Sequence, residues 1–182
     1  MDRLLLEREL EKYKVVIPHE INNKAEYTKM PGMINVFRGL IHNDLPPSLD
    51  TFLKNYKEKF PEYIIQGSIG RLTRAYLSFV REYHLGFLLK ENFDNVIYDL
   101  EKDINGVDYV ILHNNKVYNI HAFVDTRRGN KWRAVKERRH NFQGIHLDLP
   151  LNLSEGKRVG YFILYTPSNI LYIYNIINNI TK

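Results

Sequence analysis

Asp108, Asn119, His121 and Asp125 are the side chains in this sequence whose types and spacing suit chemistry. A carboxylate and an amide oxygen can hold a hard cation, and an imidazole beside a carboxylate can be fixed in one tautomer and pass a proton. They fall in the stretch 105–139, NGVDYVILHNNKVYNIHAFVDTRRGNKWRAVKERR. Val107 to Leu112 and Lys116 to Val124 are rich in β-branched and aromatic residues, and the Asn114-Asn115 pair between them tolerates the positive φ of a tight turn. The reading is strand, two-residue turn, strand.

With the turn at Asn114-Asn115, His113 faces Lys116 and Asp108 faces His121. Facing residues share a sheet face with Cβ atoms roughly 5 Å apart, and Asn119 lies on the diagonal. Asp108, Asn119, His121, Phe123 and Asp125 therefore line one face, and Val107, Tyr109, Ile111, Ile120, Ala122 and Val124 the other. The apolar set suits packing against a helix. Asp108 is expected to fix the His121 tautomer and to favour its protonated form.

A basic segment follows the hairpin. Arg127, Arg128, Lys131, Arg133, Lys136, Arg138 and Arg139 stand against a single acid, Glu137, and outweigh the formal +5 of the whole chain, leaving the remainder slightly acidic. One basic block on a nearly neutral protein points to a polyanionic partner, although a solvated helix face would read the same way. Trp132 and Val135 are its expected core contacts.

The elements that must position these groups come from the rest of the 182 residues, a length that suits one domain. The N-terminal part, residues 1–66, reads as mainly helical and residues 67–182 as the core of a single α/β domain. Leu4, Leu5, Leu6, Leu10 and Tyr13 predict an opening amphipathic helix, 20–33 a loop, and Ser48 the cap of a helix to about Phe60. Residues 34–41 fit helix or strand. Ser68 is the expected cap of the clearest helix, whose apolar stripe of Ile69, Leu72, Tyr76, Phe79, Tyr83 and Phe87 runs toward Lys90 with Arg71, Arg74, Arg81 and Glu82 on its flank. Strands are expected at 95–100, 144–149, 159–165 and 170–177, the last with a helical ending open. This order predicts a mixed central β-sheet flanked by helices.

The absence of cysteine excludes a disulfide framework and thiolate metal sites and suits a reducing cytoplasm. No run approaches the roughly 20 apolar residues of a membrane span. A cytoplasmic protein without membrane association is expected.

The order of elements, with an acid after a short glycine turn at the start of a hairpin, resembles the PD-(D/E)XK, or restriction-endonuclease-like, nuclease superfamily over about residues 69–149. In that family a helix bearing a Glu precedes a strand, a second strand begins with a metal-binding Asp, and a third carries an acidic-x-Lys triplet. Glu82, Asp108 and Asn119-Ile120-His121 occupy those places. The resemblance implies Mg²⁺ or Mn²⁺ held by Asp108, Asn119 and Glu82, with Asp125 as a further acid, and catalysis by Asp108, His121, Asn119 and Glu82. It implies a DNA endonuclease, a restriction-type enzyme or subunit, whose partner is DNA in preference to RNA. The basic helix would meet the backbone, and a homodimer or larger partner subunit would complete cutting of both strands. Asn in the acidic place and His in the Lys place leave a second implication open: a catalytically degenerate nuclease-fold protein that binds DNA or RNA, or regulates a partner.

Overall fold

The computed structural model describes residues 2–18, 30–137 and 142–180, apart from the side chains of 132, 136, 137 and 180. The chain forms two compact units, Met1–Tyr83 with Arg158–Phe162, and His84–Lys157 with Ile163–Lys182. The division falls inside one helix rather than near residue 66.

Among the described residues, three α-helices and the first part of a fourth belong to the first unit. Helix α1 (Arg3–Glu11) starts where the Asp2 carboxylate accepts the amide of Leu5, and it buries Leu6 and Leu10 while Leu4 and Leu5 stay exposed. Residues 34–41, open between helix and strand in the sequence, contain α2 (Met33–Gly39). Ser48 caps α3 (Leu49–Lys59) as expected, its Oγ accepting from the Thr51 amide. Ser68 opens α4 (Ser68–Lys90) differently: its hydroxyl accepts from Ile65 N and donates to Tyr63 O, closing the preceding turn. Most of the loop expected at 20–33 lies outside the described residues.

Tyrosines fasten the proline-bearing segment of this unit. The hydroxyls of Tyr13, Tyr56, Tyr76 and Tyr83 donate to the carbonyls of Pro46, Pro31, Pro47 and Asp44 at 2.6 to 3.0 Å. Irregular backbone near a core needs such donors, because no ladder satisfies its carbonyls. Burial pushes the Tyr56 and Tyr83 phenols up to about 12, so these hydroxyls remain donors throughout the neutral range.

The second unit is organised on a mixed sheet of order β1-β2-β3-β4: β1 (Val96–Ile97), β2 (Tyr109–His113), β3 (Lys116–Val124) and β4 (Ile145–Leu151). The first three strands are antiparallel and β4 is parallel to β3. Asn114 and Asn115 adopt φ of 49° and 58°, and the register pairs His113 with Lys116 and Tyr109 with Ile120, as the sequence requires. Tyr109, Ile111, Tyr118, Ile120, Leu147 and Leu149 form the apolar face, covered by Leu85, Leu88 and Leu89 of α4 and by Ile170, Ile173 and Ile177.

Three expected strands take other forms. Only Val96 and Ile97 of 95–100 are strand, because the Asp99 carboxylate accepts the amides of Glu101 and Lys102 and starts α5 (Leu100–Ile104). The single strand expected at 159–165 is split into β5 (Lys157–Val159) and β6 (Phe162–Leu164) around Gly160, at φ 54°. Ile170, Ile173 and Ile177 share one face of a helix that begins at Pro167, so 170–177 belongs to the last helix rather than to a strand. Between β3 and β4 lies α6 (Arg127–Glu137), and the last helix is α7 (Pro167–Ile180).

Candidate metal and phosphate site

Glu82 and Gly86 lie one turn apart on α4, Glu82 in the first unit and Gly86 in the second. A Cβ at position 86 would strike the Tyr109 hydroxyl and ring, so the absence of a side chain lets the helix lie against β2. Glu82 Oε1 accepts the Ser78 hydroxyl at 3.0 Å. Asp108, immediately before β2, continues the ladder through its amide, which donates to Ile120 O. Its carboxylate Oδ2 accepts the Ala122 amide at 2.6 Å and is 4 % exposed with its residue.

A second acid of the same unit lies near Asp108. Asp103 sits in α5, where Tyr98 donates its hydroxyl to Oδ2 at 2.7 Å and the Gly106 amide donates to its carbonyl. Within the second unit one carboxylate oxygen of Asp103 lies within 4.8 Å of one of Asp108. The sequence grouped Glu82 with Asp108 and gave no direct sign of Asp103. The signal was Asp99, a cap that starts a short helix and swings Asp103 back toward the next strand.

His121 shares the polar sheet face with Asn119 and is 1 % exposed. Its Nδ1 lies 2.6 Å from Gly106 O and its Nε2 lies 2.8 Å from His146 Nδ1. A carbonyl accepts, so Nδ1 carries the proton, and Nε2 receives the Nδ1–H of His146. The two rings are within 15° of parallel with centroids 5.1 Å apart, the geometry of an in-plane N–H···N bond rather than of a face-to-face stack. Burial drives the His121 pKa down to about 4, outweighing the bond to Gly106, while Arg133 and His146 push the same way. The expectation that His121 favours its protonated form is therefore corrected: loss of solvation exceeds what nearby carboxylates supply.

His146 belongs to β4, which the sequence left unplaced relative to the hairpin. The parallel register sets Asn119 beside His146 and His121 beside Asp148. Asn119 donates its Nδ2 to Gln143 O at 3.0 Å, and its Oδ1 is buried with no hydrogen-bond partner among the described residues. Asp125 is exposed; its Oδ1 accepts from Asn130 Nδ2 at the start of α6. Thr126 caps that helix by accepting the Gly129 amide, and Gly129 sits against Val124 O where a Cβ would not fit.

The basic residues divide. Arg127, Arg128 and Lys131 are exposed, whereas Arg133 donates its Nε to Asp148 Oδ1 at 2.6 Å with its side chain 11 % exposed, tying α6 to β4. Arg133 thus acts as a strut beneath the basic surface. Val135 is half-buried. The Lys136 and Trp132 side chains, and Arg138 and Arg139, lie outside the described residues.

Fold and site define a mixed α/β protein whose second unit brings two carboxylates, Asp103 and Asp108, together and buries an imidazole, His121, on its sheet. Comparison with protein-family models, curated proteins and solved structures finds no match. Among the described residues no helix is long and apolar enough to cross a membrane.

Proposed function

We propose that this chain is a cytoplasmic, metal-dependent DNA endonuclease of restriction-endonuclease-like fold, acting alone, as a homodimer or as a subunit with a larger partner. The observation that carries this reading is the approach of the Asp103 and Asp108 carboxylates, whose oxygens lie within 4.8 Å of each other. An all-oxygen donor set that close fits a hard divalent cation, Mg²⁺ or Mn²⁺, and carboxylates so near each other call for positive charge. Bound there, the cation supplies a water of lowered pKa and offsets charge on phosphoryl oxygens.

The chain's own groups orient and bind. The Ala122 amide and the Tyr98 hydroxyl fix one oxygen each of Asp108 and Asp103. Arg127, Arg128 and Lys131 face solvent beyond the end of β3, where they neutralise backbone phosphates without reading bases. Affinity for nucleic acid should fall steeply with salt.

Calorimetric titration with Mn²⁺ and Mg²⁺, together with incubation of supercoiled plasmid, single-stranded DNA and RNA in either metal or in EDTA, tests the reading. Wild type should take up metal and cleave DNA, and Asp108→Ala should lose both while binding DNA nearly as well in EDTA. Cleavage that survives Asp108→Ala, or a wild type that takes up no metal, would sink it. A second reading, a catalytically degenerate nucleic-acid-binding or regulatory subunit, is favoured by His121, whose nitrogens both face protein partners. It expects salt-sensitive retention of DNA or RNA without Asp108-dependent cutting.

A further inference from the structure

We propose that the outer face of α7 docks a second copy of this chain, the two helices pairing about a twofold axis. Pairing needs neither metal nor nucleic acid, and it goes beyond the reading above, in which a homodimer is one of three alternatives. The helix serves two environments. Its inner stripe of Ile170, Ile173 and Ile177 is buried in the core of the second unit. On the opposite side Ser168, Leu171, Tyr172, Asn175 and Asn179 are all exposed, at spacings of three and four residues that align them along one face.

The outer face of a surface helix ordinarily carries charge, since charged groups keep their hydration there. Among the described residues α7 is the only α-helix without Asp, Glu, Lys or Arg, in a chain that is 26 % charged. Leu171 is nevertheless 58 % exposed, Tyr172 53 % and Tyr174, on the flank, 41 %. Depletion of charge together with exposed tyrosine is the composition of the centre of a protein interface rather than of a solvated surface.

Charge and hydrogen bonding select a second copy as the occupant. Each chain carries a formal +5, so two copies repel where their charged surfaces meet, and α7 offers a face on which they do not. A nucleic-acid backbone finds no cation there, and a charged patch on another protein finds no counter-charge. The polar groups of the face are hydroxyls and carboxamides, each both donor and acceptor, so identical groups on two copies satisfy one another across a twofold. Area sets the strength. A helix of 14 residues is about 21 Å long, and one face about 10 Å wide covers a few hundred Å², against about 800 Å² per partner in a standard interface. The dimer is therefore weak, with a midpoint on the order of 10–100 μM, and insensitive to salt.

Sedimentation equilibrium of the full chain, in EDTA and without nucleic acid, from about 1 μM to about 1 mM is the test. Wild type should pass from monomer to dimer with a midpoint that added salt leaves in place. Tyr172→Glu, which puts a carboxylate into the face of each copy, should raise the midpoint about tenfold or more. Leu153→Glu, at an exposed apolar position of the same unit outside α7, should leave it unchanged. Asn175→Glu and Asn175→Lys should each be monomeric alone and recover the dimer when mixed, which an unfolded helix could not do; circular dichroism reports the fold of every variant. A wild type that stays monomeric, a dimer that salt dissolves or that folded Tyr172→Glu retains, or a mixture that fails to recover overturns the inference. A monomeric wild type that cleaves DNA removes this inference alone, and a dimer that takes up no metal removes only the hydrolytic reading.

Discussion

On one face of the four-stranded sheet Tyr109, Ile111, Ile120 and Leu149 meet two helices with almost no exposure; on the other Asp108, Asn119 and His121 are buried to the same degree among hydrogen bonds. The first face is held by area removed from water, about 1.5–3 kcal/mol for each fully buried large side chain. The second gains little from area, because each polar group must regain inside the protein what it loses by leaving water. Equal burial thus has different consequences: the apolar face resists pH and is sensitive to volume, and the polar face is the reverse.

Substitutions can break or sharpen this contrast. Ile120→Ala, at a position with 0 % exposure, should cost about 2–5 kcal/mol with an unchanged denaturant slope, measured by urea unfolding at two pH values. A loss that depends on pH would blur the distinction between the faces. On the polar face, His121 has a folded-state pKa of about 4, below the usual value of 6.5. Its contribution is complete above about pH 6.5 and is lost as pH falls toward 4, an acid sensitivity of about 3 kcal/mol. Wild type should lose stability over that window and His121→Asn should lose much less. Parallel pH profiles of the two proteins would show that acid acts elsewhere.

The apolar face has one polar flaw. Tyr118 is fully buried and its hydroxyl has no hydrogen-bond partner among the described residues. Tyr118→Phe should be neutral or stabilising by up to about 1 kcal/mol, whereas a clear loss in thermal unfolding would reveal a bond to that hydroxyl. The smallest effect belongs to the edge of the polar face. Asp148 is half-exposed, so a double-mutant cycle with Arg133→Ala and Asp148→Ala should give a coupling of about 1 kcal/mol or less that shrinks with added salt.

The long helix α4 shows why sequence periodicity reached only part of this arrangement. Its stripe of Leu72 and Tyr76 is buried in the first unit, but past Tyr83 the buried positions become His84, Leu85, Leu88 and Leu89 in the second. A single stripe drawn through Phe79, Tyr83 and Phe87 follows the first face across a boundary that the helix itself does not mark. Gly86 was the available sign of a change, since a mid-helix glycine often records a close neighbour.

Local chemistry determined the hairpin, its register and the two faces, because paired asparagines set the turn and a period of two sets every facing pair. It also determined the Ser48 cap and the basic helix beginning after Thr126. Tertiary structure alone decided which elements meet that hairpin. The choice of a parallel β4 beside β3 made His146 the partner of His121, and the start of α5 at Asp99 brought Asp103 to Asp108. Neither contact is written in nearby residues, since strand order and the approach of a helix are fixed by how whole elements pack, and spacing along the chain carries no record of that.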